Sequence, residues 1–380
     1  MFTRTPSPVV IVGHGRRLTI VGMSNDKARA AHPTQAEPGA PGAAAAGGRR
    51  LQMTDIARMA GVSTTTVSRA LNGSPLVNEA TRVRVTELAR SLNYTVNAGA
   101  KELRLGHSTT VAVVIPHAAG MRQGLSDPFF LGMLGSIADA LTERGYDMLL
   151  SRVNADNLQM ASTPFDSGRA MGIIVIGQWQ LHDHLNQLAA RGVPLVVWGA
   201  RLPNQLYCTV GCDNLAGGRL ATQHLLARGR RRIAFFGDTA LPEVAQRHEG
   251  YRRALAHAGV ADVPSLAWPA SFLADGARAA IAGLRQRGVS FDAIFACSDL
   301  LAMTAISTLR ELGLRVPEDV AVVGYDDVAL AADFHPALTT VRQPIEPGGR
   351  ALVAALLSFH DNGPPTSQVL PTELIVRASA

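Results

Sequence analysis

The stretch Thr54-Asp55-Ile56-Ala57-Arg58-Met59-Ala60-Gly61-Val62-Ser63-Thr64-Thr65-Thr66-Val67-Ser68-Arg69-Ala70-Leu71-Asn72 decides how the front of this 380-residue chain folds. Ile56, Ala57 and Ala60 share one helical face, and Val67, Ala70 and Leu71 resume the pattern at i, i+3, i+4 spacing after a break. At the break, Gly61 permits a positive-φ turn, Val62 can plug the angle between the helices and Ser63 can cap the second one. A third helix is expected after Asn78, a good N-cap, with Val85, Leu88, Ala89 and Leu92 as its apolar stripe. The expectation is a three-helix, helix-turn-helix head. The polar run Thr64, Thr65, Thr66, Ser68 and Arg69 would lie at the exposed start of the second helix. Short hydroxyls and a guanidinium there suit base edges and phosphates in a major groove.

Charge points the same way. Residues 49–107 carry nine basic side chains against four acidic ones, whereas the chain after 107 has 22 basic against 24 acidic. A basic head on a nearly neutral body is the electrostatic footprint of phosphate contact confined to one end. With 47% hydrophobic and 17% charged residues the chain reads as globular. Scarce aromatics, 5% of residues, argue against stacked single-strand-binding or carbohydrate platforms.

Three cysteines, Cys208, Cys212 and Cys297, have no neighbouring spacing that completes a metal site, so neither metal nor cofactor is expected. No run approaches the ~18 apolar residues of a membrane span, and no signal-peptide pattern follows the apolar segment 9–22. Cytoplasmic residence and no membrane partner are the corresponding expectations.

Residues 1–49, rich in Ala, Pro and Gly, are expected to form a flexible leader, followed by the helix-turn-helix domain at 50–96 and a hinge at 97–107. From 108 to 380 short apolar runs at 111–115, 147–150, 172–176, 195–197, 232–236, 292–296 and 320–323 alternate with amphipathic helices at 129–144, 214–228, 245–258 and 300–312. Unbroken apolar strands between helices mean an α/β domain with parallel sheets covered on both faces. For some 270 residues, two doubly wound lobes are more natural than one sheet. Ligands of such sheets bind beyond the carboxyl ends of the strands, here in a cleft between lobes.

Residues 51–107 closely resemble the head of the lactose/galactose repressor family. The matching positions are Asp55-Ile56-Ala57, Ala60-Gly61-Val62-Ser63, Thr66-Val67-Ser68-Arg69, Asn72, Thr81-Arg82, Leu92-Asn93-Tyr94 and Asn97. The resemblance implies that Thr64, Thr65 and Arg69 read bases in double-stranded operator DNA while Ser63, Thr66, Asn72, Thr81, Tyr94 and Asn97 hold phosphates. It also implies a hinge helix including Ala100, with Leu103 wedged into the minor groove to kink the duplex. Three departures stand out. Val96 replaces a proline, Gly99 occupies a hinge-helix position that glycine weakens by up to ~1 kcal/mol, and Gln52 replaces the Thr that caps the first helix.

The resemblance continues to the end of the chain through Asp127-Pro128-Phe129-Phe130, Asp213-Asn214, Gly217-Gly218, Arg247, Gly250-Tyr251, Ser298-Asp299, Val322-Val323-Gly324-Tyr325-Asp326-Asp327 and Leu338-Thr339-Thr340-Val341. It implies the type I periplasmic-binding-protein-like fold, whose chain crosses between lobes three times, expected near 230, 317 and 343. It further implies a small-molecule effector, expected to be a sugar. A polyol needs planar bidentate partners and an apolar face. Arg247 and Asp299 match that role by position, with Asp213 as a third polar candidate. Phe129 and Phe130 would close one side and Phe272 would stack from the other, although the spacing from Phe272 to Gly276 departs by one residue from the family's. Trp198 either lines the cleft or packs.

No nucleotide fingerprint, phosphate loop or nucleophile elbow is present. His182 and His184, flanking Asp183, read as a solvated helix face. A transporter's solute-binding protein would need export, and a sugar-metabolising enzyme would need catalytic motifs. The expected function is therefore a non-enzymatic, sequence-specific transcriptional regulator controlled by effector, read as a repressor relieved by inducer, with activation and corepression left open. With no leucine heptad near Ala380, a homodimer is the expected assembly.

Overall fold

The computed structural model describes residues 51–92, 94, 108–117, 124–272, 274–361, 363 and 365–380. The leader and the hinge residues Asn97, Ala100 and Leu103 lie outside them. The chain divides into two compact units, Met1–Tyr94 and Thr95–Ala380.

In the first unit, α1 (Met53–Ala60), α2 (Thr64–Leu71) and α3 (Glu79–Ser91) surround Ile56, Ala57, Ala60, Val67, Ala70, Val77 and Val85. Gly61 ends α1 at φ 64°, ψ 35°, the left-handed geometry its sequence position called for. Ser63 Oγ accepts from Thr66 N at 3.1 Å and Asn78 Oδ1 from Thr81 N at 2.8 Å, capping α2 and α3. At α1, the Asp55 carboxylate accepts from Gln52 N at 2.9 Å, so the residue that replaces Thr still begins a capped helix. This small core makes the head marginal by itself.

The second unit holds two six-stranded sheets. The first contains β1 (Thr110–His117), β2 (Asp147–Asn154), β3 (Gly172–Ile176), β4 (Leu195–Trp198), β5 (Cys208–Cys212) and β11 (Gln368–Leu370), in spatial order β11-β5-β4-β3-β1-β2. The second contains β6 (Ile233–Phe236), β7 (Ala267–Trp268), β8 (Ala293–Ala296), β9 (Ala321–Asp326), β10 (Thr339–Arg342) and β12 (Glu373–Ile375), ordered β12-β10-β9-β8-β6-β7. All pairings are parallel except that of β10 with β12. Along β3, Ile174 and Ile176 enter one core cluster and Ile173 and Val175 another, so both faces are covered. The Pro128–Thr142 and Ile345–Asp361 helices cover one of these faces and the His182–Ala190 helix the other.

Strand order fixes the crossings between lobes, and it moves two of them. The chain leaves the first sheet after β5, at residue 213, because the Asn214–Ala227 helix already packs on the second lobe through Ala221, Leu225 and Leu226. It returns after β10, at 343–344, and crosses again between β11 and β12, at 371–372. Positions 230 and 317 are not crossings. Arg230 Nη2 donates to Pro317 O, so the two residues are neighbours within the second lobe. The displaced first crossing has a physical cause. Gly218 and Gly250 let the Asn214–Ala227 and Pro242–His257 helices touch backbone to backbone, and a Cβ on Gly218 would stand 2.0 Å from Arg247 O, while Gly217 makes room for the Tyr325 ring.

Candidate functional site

On the head, Thr64, Thr65 and Arg69 are exposed on α2, within about one and a half turns of one another, and no described residue bonds their side chains. Ser63 and Thr66 share a hydroxyl contact of 2.9 Å at the helix start. Ser68 is half-buried beside them, and its carbonyl accepts from Asn72 Nδ2 at 2.7 Å. Thr81 sits in the first turn of α3, and Tyr94 packs against the head core. The N-termini of α2 and α3 present backbone N–H groups and the positive ends of their dipoles, a combination that attracts phosphate. Arg58, Arg84 and Arg90 add exposed positive charge.

In the body, a cleft opens between the lobes. Phe129, Phe130, Ile176, Gly177, Trp179 and Trp198 line it from the first lobe. Leu241, Glu243, Val244, Arg247, Phe272, Ser298 and Asp326 line it from the second, with Asp127 and the crossing residue Gln343 completing the wall. Ile176, Trp198 and Asp326 are the last residues of β3, β4 and β9, so the cleft lies at the carboxyl ends of parallel strands.

Local chain geometry aims these side chains. Asp127 caps the Pro128–Thr142 helix, accepting from Phe129 N at 3.0 Å, which orients Phe129 and Phe130 with ring centroids 5.6 Å apart. Phe129 in turn lies 6.5 Å from Trp198. After β3 the turn runs through φ 90° at Gly177 and φ 49° at Trp179. This turn lets Trp179 pack against the core clusters of both lobes. Asp326 has φ 128°, a conformation that non-glycine residues rarely adopt, and it sits in the cleft wall where such strain is found at functional positions.

Arg247 is the polar centre. Only 5% exposed, it donates from Nε to Asn214 Oδ1 at 2.8 Å and from Nη1 to Cys297 O at 2.5 Å. Its guanidinium carbon lies 3.7 Å from the centre of the Tyr325 ring. Gln343 Nε2 donates to Asp326 Oδ1 at 2.6 Å, and Cys212 Sγ donates to Gln343 Oε1 at 3.3 Å. The cleft floor is thereby bonded directly to Cys212, Asn214 and Gln343, the segments that cross between lobes. Across the mouth, Gln178 N donates to Glu243 Oε1 at 3.3 Å and Gln246 Nε2 donates to Arg201 O at 3.2 Å.

Burial sets the protonation. It holds Asp326 well above the usual carboxylate range, helped by the nearby Asp299 charge, and it pushes Glu243 up as well. Burial also raises the thiols, Cys208 to about 11 and Cys297 to about 12, which leaves them poor nucleophiles.

The structure brings Phe129, Phe130, Arg247 and Phe272 together and leaves Asp213 and Asp299 out of the lining. Asp213 caps the Asn214–Ala227 helix, accepting from Ala216 N at 2.8 Å. Asp299 is fully buried, accepting from Thr340 Oγ1 at 2.5 Å and Val328 N at 2.9 Å, so it braces the wall that carries Asp326. Trp198 both lines the cleft and packs in the core. Trp179, Glu243, Asp326 and Gln343 line the cleft although the sequence does not single them out. Trp179 and Gln343 lie just past strand ends, Asp326 ends β9 and Glu243 stands in the first turn of a helix, and no local pattern separates such residues from ordinary loops. His182 is engaged with Tyr207 Oη at 2.9 Å.

Burial pushes the Asp299 carboxyl up to about 6. A carboxyl whose folded value exceeds its unfolded one adds stability that is complete below about pH 3.8 and is lost as the pH rises through about 6. Asp299→Asn is expected to flatten the pH dependence of thermal unfolding across that window, and an unchanged slope would contradict the assignment.

Residues 52–97 match the model of bacterial regulatory proteins, lacI family, and residues 222–380 match a periplasmic binding protein-like domain. The HTH-type transcriptional regulator CelR of Thermobifida fusca is 36% identical over 87% of this chain and 98% of its own length. The HTH-type transcriptional repressor PurR of Aliivibrio salmonicida is 31% identical over 80% of this chain and 90% of its own. Among solved structures, a transcriptional regulator CelR–cellobiose complex matches with a TM-score of 0.65 and 34% identity, covering 87% of this chain and all of that one. The lac repressor dimer bound to operator matches with a TM-score of 0.75 at 24% identity, which speaks to the fold. Among the described residues no helix is long and apolar enough to cross a membrane. The helix-turn-helix head, the two-sheet body and these relatives agree that the chain belongs to the lacI family of bacterial regulatory proteins, whose members are DNA-binding transcriptional regulators.

Proposed function

We propose that the chain is a cytoplasmic, non-enzymatic repressor that acts as a homodimer and whose grip on operator DNA is set by a sugar held in the cleft. Residues 50–96 read DNA, 97–107 couple head to body, and 108–380 sense the effector. Thr64, Thr65 and Arg69 meet base edges, while Ser63, Thr66, Asn72 and Thr81 position phosphates. Phe129, Phe130 and Phe272 pack on the sugar's apolar faces and Arg247 supplies its fixed polar fork.

The observation that carries this reading is the bonding of Arg247 and Asp326 to Asn214 and Gln343. A ligand touching the cleft floor changes the setting of the segments on which the lobes turn. Occupancy then shifts the population of lobe arrangements, and with it DNA affinity, by a coupling of about 1–3 kcal/mol. The complex of the CelR relative makes cellobiose the first probe. A thermal-shift screen of mono- and disaccharides, followed by operator mobility shifts with and without the stabilising sugar, tests the reading. Stabilisation by no sugar would remove it.

Arg69→Ala is expected to weaken operator binding by about 1–3 kcal/mol while changing random-DNA binding much less. Equal losses on both DNAs would make Arg69 a phosphate contact.

A further inference from the structure

We propose that the cleft selects uncharged sugars and rejects phosphorylated or carboxylated ones. The proposal rests on the cleft being the sensing site and goes further by naming the charge class of what it holds. Among the described lining residues there is one cation, Arg247, facing three acids, Asp127, Glu243 and Asp326. No lysine or histidine joins them. The single cation is largely committed. Nε and Nη1 bond Asn214 and Cys297, and Tyr325 covers the guanidinium at 3.7 Å. Only Nη2 has no bond among the described residues.

A phosphate brought into this space would meet one donor of positive charge and three acids, in a wall that is mostly apolar. With any one of the three acids ionised, the lining offers no net positive charge to offset the lost hydration of an anion. A neutral sugar has no such requirement. Its hydroxyls can take the free Arg247 nitrogen and the carboxyl oxygens, and its C–H faces can meet Phe129, Phe130, Trp179, Trp198 and Phe272. Each acid is anchored by a bond to the protein and keeps further lone pairs for hydroxyl donors. Asp127 caps a helix, Glu243 accepts from Gln178 N and Asp326 accepts from Gln343.

Trp179 and Trp198 make occupancy visible as a change in intrinsic fluorescence, with calorimetry on the full chain as the second readout. The probes are cellobiose, glucose, glucose 6-phosphate, cellobionate, glucosamine and sodium phosphate. Neutral sugars should bind at least about 100-fold more tightly than the phosphorylated or carboxylated ones, and sodium phosphate should neither bind nor compete. Glu243→Gln should narrow that ratio by improving the anionic sugars more than the neutral ones. Glucose 6-phosphate or cellobionate binding as tightly as its neutral counterpart would overturn the proposal while leaving sugar sensing intact, and so would a preference for glucosamine. Binding of no sugar of either class would remove the sensing reading and the selectivity with it.

Discussion

Arg247→Ala is expected to lower sugar affinity by more than about 100-fold while leaving ligand-free operator binding within about twofold of the parent. The size follows from what the guanidinium does. A charge-assisted hydrogen bond to a ligand is worth about 1.5–3 kcal/mol, and here it would be made in a cleft shielded by aromatic walls. Removing the side chain also strips Asn214 Oδ1 and Cys297 O of their donor and takes away the one cation near Asp326. The lysine variant should recover little, because an ammonium cannot bond Asn214, Cys297 and a ligand in one plane while lying flat on the Tyr325 ring. Calorimetry with cellobiose and an operator titration on the same protein separate the two effects. Undiminished sugar binding would mean that Arg247 only holds the hinge segments together.

Gly218→Ala should cost about 3 kcal/mol, read as a loss of roughly 6–12 °C in the unfolding midpoint of the body. The added methyl would lie 2.0 Å from Arg247 O and 2.8 Å from Arg247 C, both backbone atoms of the facing helix. Nothing flexible can yield, so the helices must part, carrying Arg247 away from Asn214. Sugar affinity is expected to fall with stability. Gly135→Ala supplies the contrast. Gly135 is exposed within the Pro128–Thr142 helix and a Cβ there meets nothing within 4 Å. That substitution should raise stability by about 0.5–1 kcal/mol through helix propensity alone. Equal behaviour of the two glycines in differential scanning calorimetry would show that the close helix contact is not rigid.

These cases indicate what a sequence reveals and what it withholds. The head was legible because each of its local choices is independently diagnostic: Gly61 at positive φ, Ser63 and Asn78 as caps, and apolar residues at helical spacing. Strands were legible where β-branched runs are long, as at β1 and β3. The apolar runs do not reveal β5, whose five residues include Gly211 and two cysteines, β10, which opens with two threonines, or the short edge strands β7, β11 and β12. With β5 unseen, the first crossing slid past the Asn214–Ala227 helix to 230. The Ile345–Asp361 helix was hidden because Pro347, Gly348 and Gly349 sit in its first turns, where they read as a breaker. Gly348 and Gly349 are there for packing, since a Cβ on either would collide with Trp198 or Ser136.

The cleft was half legible. Aromatic and Arg candidates converged because matched positions carry over when a side chain points out of a strand end or helix start. Asp299 did not, because a carboxylate at the first position of a helix can face either the cleft or the wall behind it. Here Thr340 and Val328 N capture it, a choice made by residues 29 and 41 positions away. The residue that does reach the cleft, Asp326, gets there through a strained φ that no composition or spacing rule foretells.

The most direct measurement is the affinity of the full chain for its operator, taken at fixed salt with and without saturating cellobiose or whichever neutral sugar raises the unfolding midpoint. Linkage between cleft and head predicts a change of roughly 5- to 150-fold, abolished by Arg247→Ala. An operator affinity that stays the same while the cleft is demonstrably filled would contradict it.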